Sequence, residues 1–152
     1  MRVLITDPVD RALIDILREK GYDVIYMPEI SHSELIDKVG DVNVLVVRSR
    51  TKVMKDVIDR AKKLKLIARV GVGLDNIDVE YARSKGIDVI NAGAATAQSV
   101  AELTIGLMIC LIRKVHFGYE HLKKGEWVKK KILGFELSGK TLGIICLLYT
   151  SD

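Results

Sequence analysis

The sequence predicts an α/β protein built on a doubly wound parallel sheet. Two observations carry that expectation. Five short β-branched or apolar runs, at residues 3–6, 23–26, 44–47, 66–70 and 87–91, alternate with segments of helical spacing. Such alternation favours parallel strands with helices crossing between them. The connections are also short, and five strands joined by right-handed crossovers most simply give a flavodoxin-like sheet, in which ligands collect at the carboxyl ends of the strands.

The elements carry their own start and stop signals. Asp10 is placed to cap a helix over 11–20, which Gly21 closes. Ser31 followed by Glu34 is a capping box for the second helix. Asp78 opens a helix over 79–85, and Gly86 supplies the left-handed residue that ends it. After Asn91 the texture changes. Residues 92–98 are small and loop-like, and Ser99 with Glu102 makes a second capping box ahead of an apolar helix reaching about Tyr119. That helix has no charge between Glu102 and Arg113, so it is expected to pack between domains or against another subunit. A basic connector follows, through Lys123-Lys124-Gly125-Glu126-Trp127 to the three lysines at 129–131. Residues 142–145 then read as the first strand of a second sheet. The expected organisation is a flavodoxin-like domain over 1–98, a crossover helix over 99–121, and a connector with the start of a further domain over 122–152.

Composition sets outer bounds. With 152 residues, 49% hydrophobic and 29% charged, the chain reads as globular rather than disordered. One fold of this length buries about 68–70% of its unfolded surface, enough for a single sizeable core. The 24 basic and 20 acidic residues leave a net charge of +4, which suits small anions at least as well as nucleic acid. The N-terminal residues lack the apolar core of a secretory signal, and the apolar stretches are too short to span a bilayer, so a cytoplasmic protein without a membrane partner is expected. Cys110 and Cys146 form neither a disulfide framework nor a metal-ligand spacing, which fits a reducing compartment.

The candidate chemistry lies at strand ends. Gly71-Val72-Gly73 follows the fourth strand, where glycines let backbone N–H groups converge on a carboxylate or phosphate. The same pattern also serves an ordinary strand-to-helix turn. Asp75, Asn76 and Asp78 read as turn and cap residues that satisfy local backbone donors. The third strand ends in Arg48-Ser49-Arg50. Arg48 is either a bidentate partner for an anion or a solvated charge, and Arg50 ranks below it. His32, His116 and His121 lack a partner at convincing ligand spacing and read as surface residues, with no metal site. The lysines at 129–131 have only Trp127 nearby for stacking, so a solvated connector is expected there rather than a nucleic-acid site.

Taken together, Val47-Arg48-Ser49-Arg50-Thr51-Lys52-Val53, the stretch from Arg69-Val70-Gly71 through Asp78, Asn91-Ala92 with Ser99-Val100-Ala101-Glu102-Leu103, and Gly125-Glu126-Trp127 through Gly139 to Ile145 resemble the D-2-hydroxyacid dehydrogenases, most closely their phosphoglycerate-oxidising branch. The resemblance covers 1–145. It implies a substrate domain followed by a crossover helix and a Rossmann domain, with NAD as cofactor and a phosphorylated hydroxyacid as substrate in the pathway to serine. It also implies a homo-oligomer formed through the 99–121 helix. By the same resemblance Val72 and Gly73 receive the substrate carboxylate, Arg48 and Ser49 hold the phosphate end, and Val72 and Thr96 lie on the nicotinamide side of NAD. The resemblance departs at Cys146. Cys146, Leu148 and Ser151 stand where the family carries the three glycines of its pyrophosphate turn, and a branched side chain at 148 obstructs backbone contact with phosphate. The family's substrate-orienting Arg and its Glu–His proton-handling pair find no counterpart, so no catalytic acid or base is assigned. The expectation is an inactive N-terminal portion of such an enzyme. The competing readings are another branch of the same family, of glyoxylate/hydroxypyruvate or lactate type, and a noncatalytic, flavodoxin-like small-anion-binding module. A phosphoreceiver is disfavoured because Arg48 stands where it needs an aspartate.

Overall fold

A computed structural model describes residues 1–145. The departure at Cys146, Leu148 and Ser151 lies outside the described residues. The chain divides into two compact units, Met1–Ala94 and Ala95–Asp152.

The first unit is a five-stranded parallel sheet of β1 (Arg2–Ile5), β2 (Asp23–Tyr26), β3 (Val44–Val47), β4 (Leu66–Arg69) and β5 (Asp88–Asn91), in the order β2-β1-β3-β4-β5. This is the flavodoxin-like order, as the sequence predicts. Its helices are α1 (Arg11–Glu19), α2 (His32–Lys38), α3 (Lys55–Arg60) and α4 (Val79–Ser84). Register fixes which side chains share a face. Leu4, Leu45 and Ile67 lie in one row and pack with Leu35, Val39, Val57, Ile58 and Ala82, so α2, α3 and α4 cover that side. Val3, Ile5 and Val46 point the opposite way and pack with Ile14 of α1.

The caps form as the sequence indicates. Asp10 Oδ1 accepts from the Ala12 N–H at 2.9 Å. Ser31 and Glu34 form the reciprocal box. Asp78 Oδ1 accepts from the Tyr81 N–H at 3.1 Å, and Gly86 takes φ +75° beyond α4. Two details differ. The fourth strand ends at Arg69 rather than at 70, because the Gly71 N–H folds back onto the Arg69 carbonyl at 2.9 Å. In addition, α3 arises where no start signal was legible, since its N-cap, Met54, makes no side-chain cap bond.

The second unit holds α5 (Ala97–Ile112), α6 (Val115–Lys123) and a 3₁₀ turn at Lys129–Lys131. The expected box at Ser99 and Glu102 does not form. The N-cap falls three residues earlier, at Thr96, placing Ser99 inside the helix, and Glu102 accepts instead from Gln98 Nε2 at 2.7 Å. Nor does one helix run on to Tyr119. Lys114 adopts φ +53°, in the left-handed region, and separates α5 from α6. The break is held from a distance, where the Phe135 N–H donates to the Ile112 carbonyl at 3.2 Å. Gly134 makes that approach possible, because a Cβ there would lie 2.1 Å from the same carbonyl oxygen. The expected strand at 142–145 is also absent. Among the described residues these four make no ladder hydrogen bonds, and a parallel strand exists only with a partner.

Candidate functional site

In the order β2-β1-β3-β4-β5 the crevice at the topological switch point opens between the carboxyl ends of β1 and β3. Here that crevice is occupied by protein. Asp7, just beyond β1, is only 1% exposed. Its Oδ2 accepts from the Arg48 N–H at 2.6 Å and its Oδ1 from Arg50 Nε at 3.1 Å. Arg50 Nη2 donates to the carbonyls of Thr6 (2.5 Å) and Pro28 (2.7 Å), and Nη1 to Ile30 (3.1 Å). A planar guanidinium with this many fixed acceptors is a clamp. Arg50 therefore joins the ends of β1, β2 and β3 and has little capacity left for a ligand. Arg48 differs. Its side chain is exposed and one nitrogen, Nη1, donates to the Pro8 carbonyl at 3.0 Å, which anchors the guanidinium while leaving its other donors for an anion. Ser49 is exposed next to it.

The second segment leaves β4. Gly71 has φ +151°, and an added Cβ would lie 1.3 Å from Arg69 Nη1, so glycine serves both the backbone conformation and the path of the Arg69 side chain. The Ala92 N–H donates to the Gly71 carbonyl at 2.9 Å, and Asn91 Nδ2 donates to the Val72 carbonyl at 2.6 Å. Val72 is half-buried and Gly73 buried, yet among the described residues neither backbone N–H donates to a protein acceptor. Amides shielded from water without a partner are costly, and two in succession are a candidate place for an anion.

Asn76 ties the two segments together. Expected as a local turn residue, it is 4% exposed, and its Nδ2 donates to the carbonyls of Arg48 and Thr51, both at 2.7 Å. Those partners lie 28 and 25 residues away in sequence, which is why its role was not legible. The Val53 N–H donates to the Asn76 carbonyl (2.8 Å) and the Asp78 N–H to the Val53 carbonyl (3.0 Å), forming an isolated parallel bridge of Val53 with Ile77.

The remaining candidates fall elsewhere. Thr96 belongs to the second unit, as the N-cap of α5 without a side-chain cap bond. His32 and His121, read as unpartnered, do meet carboxylates. His32 Nε2 lies 2.7 Å from Asp56 Oδ2, a bond that holds the Asp56 carboxyl below the usual carboxylate range, and His121 pairs with Glu126. Sequence separation of 24 residues hid the first pair. Both carboxylates are at least half exposed, whereas the His121 side chain is only 23% exposed, which departs from the surface position expected of it. A 280 Å³ hollow beside His32 is lined by Ile30, Leu35, Thr51 and Lys52 and does not include Arg48 or Gly73. Among the described residues no three His, Cys, Asp or Glu side chains gather as metal ligands, and no helix is long and apolar enough to cross a membrane. Sequence reading missed Asp7 and Arg69. A carboxylate directly after the first strand, at the sheet's switch point, was the available signal for Asp7.

The family model for the catalytic domain of the D-isomer specific 2-hydroxyacid dehydrogenases matches residues 3–151. The chain belongs to this family. It is 51% identical over 147 residues to a D-3-phosphoglycerate dehydrogenase of Methanocaldococcus jannaschii, covering 97% of this chain and 28% of that protein. It is 46% identical over 144 residues to a hydroxypyruvate reductase of Thermotoga maritima, covering 95% and 47%. Among solved structures, the TT0316 protein of Thermus thermophilus aligns with a TM-score of 0.79 at 33% identity, over 91% of this chain and 46% of that one. An NAD+-bound 3-phosphoglycerate dehydrogenase of Entamoeba histolytica aligns at 0.63 and 31%, over 75% and 40%. The chain thus spans less than half the length of these relatives.

A dinucleotide fits the described residues poorly. Residues 142–145, expected to lead into the pyrophosphate turn, form no strand, and the turn's three glycine positions carry Cys146, Leu148 and Ser151. Among the described residues, therefore, no strand leads into a cradle for the cofactor's phosphates.

Proposed function

We propose that these residues form the substrate-anion-holding part of an NAD-dependent D-2-hydroxyacid dehydrogenase that oxidises 3-phospho-D-glycerate to 3-phosphohydroxypyruvate, in the pathway to serine. The observation that carries this reading is the pairing, through Asn76, of an anchored arginine having spare donors with two adjacent unmatched amides. A molecule with a carboxylate at one end and a phosphate at the other suits such a surface. Val72 and Gly73 receive the carboxylate on backbone N–H groups, and Arg48 with Ser49 takes the phosphate through charge-assisted hydrogen bonds. The family resemblance alone assigns Val72 and Thr96 to the nicotinamide side of NAD. The chain's own residues bind and orient the substrate and include no group assigned to move the hydroxyl proton. The segment 99–121, which comprises most of α5 and α6, supplies the contact of a homo-oligomer, and the protein is cytoplasmic.

The 152 residues alone are expected not to reduce NAD in the presence of 3-phospho-D-glycerate above a protein-free control. Reduction above that control overturns the division of labour proposed. The 46% identity to a hydroxypyruvate reductase favours a second substrate, hydroxypyruvate. Titration of the labelled chain separates the two. Tighter binding of 3-phospho-D-glycerate, lost in Arg48→Ala, supports the phosphorylated substrate, whereas equal or tighter binding of hydroxypyruvate assigns the other branch.

A further inference from the structure

We infer that Asn76 is a positioning residue that sets the spacing between the two anion-holding segments, and through that spacing the length of substrate they accept. The inference rests on the proposed assignment of a phosphate to Arg48 and Ser49 and a carboxylate to Val72 and Gly73. Its basis is the way the Arg48 peptide is gripped. The N–H is held by Asp7 Oδ2 at 2.6 Å from the β1 side, and the carbonyl by Asn76 Nδ2 at 2.7 Å from the 71–78 loop. With both peptide groups of one residue fixed by side chains from different loops, rotation of its backbone is blocked at both ends. The direction in which its side chain leaves is then fixed too. The second Asn76 bond, to the Thr51 carbonyl, stops the 48–51 turn from pivoting about the first.

The placement of Asn76 in sequence gives the grip its consequence. It lies three residues beyond Gly73, in the same loop as the unmatched amides, and its backbone carbonyl is held in turn by the Val53 N–H. A single carboxamide therefore couples the loop that presents the amides to the loop that presents the guanidinium. Asn76 meets neither end of the ligand in this arrangement. It makes the two subsites act together, because a ligand with two charged ends gains from both only when their separation matches its length. An amide suits the task, since an –NH2 group offers two donors to two carbonyls and carries no charge into a buried position.

The test follows backbone amide shifts of the isotopically labelled 152-residue chain during titration with 3-phospho-D-glycerate, with inorganic phosphate and with D-glycerate. In the unmodified chain the two-ended ligand is expected to bind at least about tenfold more tightly than either single-ended probe, perturbing Ser49, Val72 and Gly73 together. In Asn76→Ala that advantage is expected to fall to about twofold or less, with inorganic phosphate binding changed by less than about twofold. Asn76→Ser, which retains one donor, gives an intermediate ratio and serves if the alanine variant does not fold. Equal weakening of all three ligands, or an unchanged ratio, overturns the positioning role and leaves the proposed substrate standing. Failure of the unmodified chain to favour the two-ended ligand overturns both.

Discussion

Asp7 and Arg50 close the crevice where a sheet of this topology ordinarily admits its ligand. The carboxylate is buried, and removing it leaves the Arg48 N–H and Arg50 Nε without their acceptors. Arg50 remains 46% exposed, so water recovers part of the loss. Asp7→Ala is expected to lower unfolding free energy by about 1–3 kcal/mol in denaturant titration, through unsatisfied donors rather than lost charge attraction. Gly71→Ala acts by a different route. It forces an L-residue into φ +151° and drives Arg69 from its place, for an expected loss of about 1–3 kcal/mol. At this scale the sequence was informative in proportion to locality. Arg48, Ser49, Val72 and Gly73 stood out as candidates because they follow closely on strands that composition marks. Asn76 was misread as a local turn residue, and the clamp made by Arg50 left no mark, because every partner that defines them lies at least 20 residues away.

The capping contacts show the same division among elements. Ser31 and Glu34 close α2 reciprocally, and their spacing alone announces them. Ser31→Ala is expected to destabilise the first unit by about 1 kcal/mol. The same contact brings pH dependence. Hydrogen bonds from the Ser31 hydroxyl and backbone hold the Glu34 carboxyl below its ordinary range, and Asp56 and Asp59 are lowered by bonds from His32 and Tyr81. A carboxylate whose folded-state pKa is depressed binds its proton more readily in the unfolded chain. The stability it lends is thus complete above the unfolded value, about 4 for these residue types, and is lost as pH falls through the folded value. Thermal melts between pH 6 and 3 are expected to show Tm falling on the acid side, with a shallower fall in Glu34→Gln. The break at Lys114 was not legible for the opposite reason, because it depends on Gly134 and Phe135 folding back onto the end of α5. A short element without a cap, such as α3, likewise left no mark for sequence reading to find.

At the scale of the molecule, the observed sheet order is the one that five alternating strands with short crossovers most simply give. The second unit is less self-sufficient. Along α5 no residue is buried, and Val100, Leu103, Ile105, Leu107, Ile109 and Leu111 are all exposed large hydrophobics. A surface of that character favours association. Sedimentation velocity is expected to show mass rising with concentration, and Leu103→Glu with Leu107→Glu to suppress the rise. A chain that stays monomeric across the range removes this helix as the oligomer contact.

The decisive measurement is the map of backbone amide shifts in the 152-residue chain as 3-phospho-D-glycerate is added. Perturbations centred on Ser49, Val72 and Gly73, shared by the two loops and abolished together in Arg48→Ala, are the expected result. Shifts confined to the hollow beside His32, or none at millimolar ligand, contradict the assignment of an anion to these strand ends.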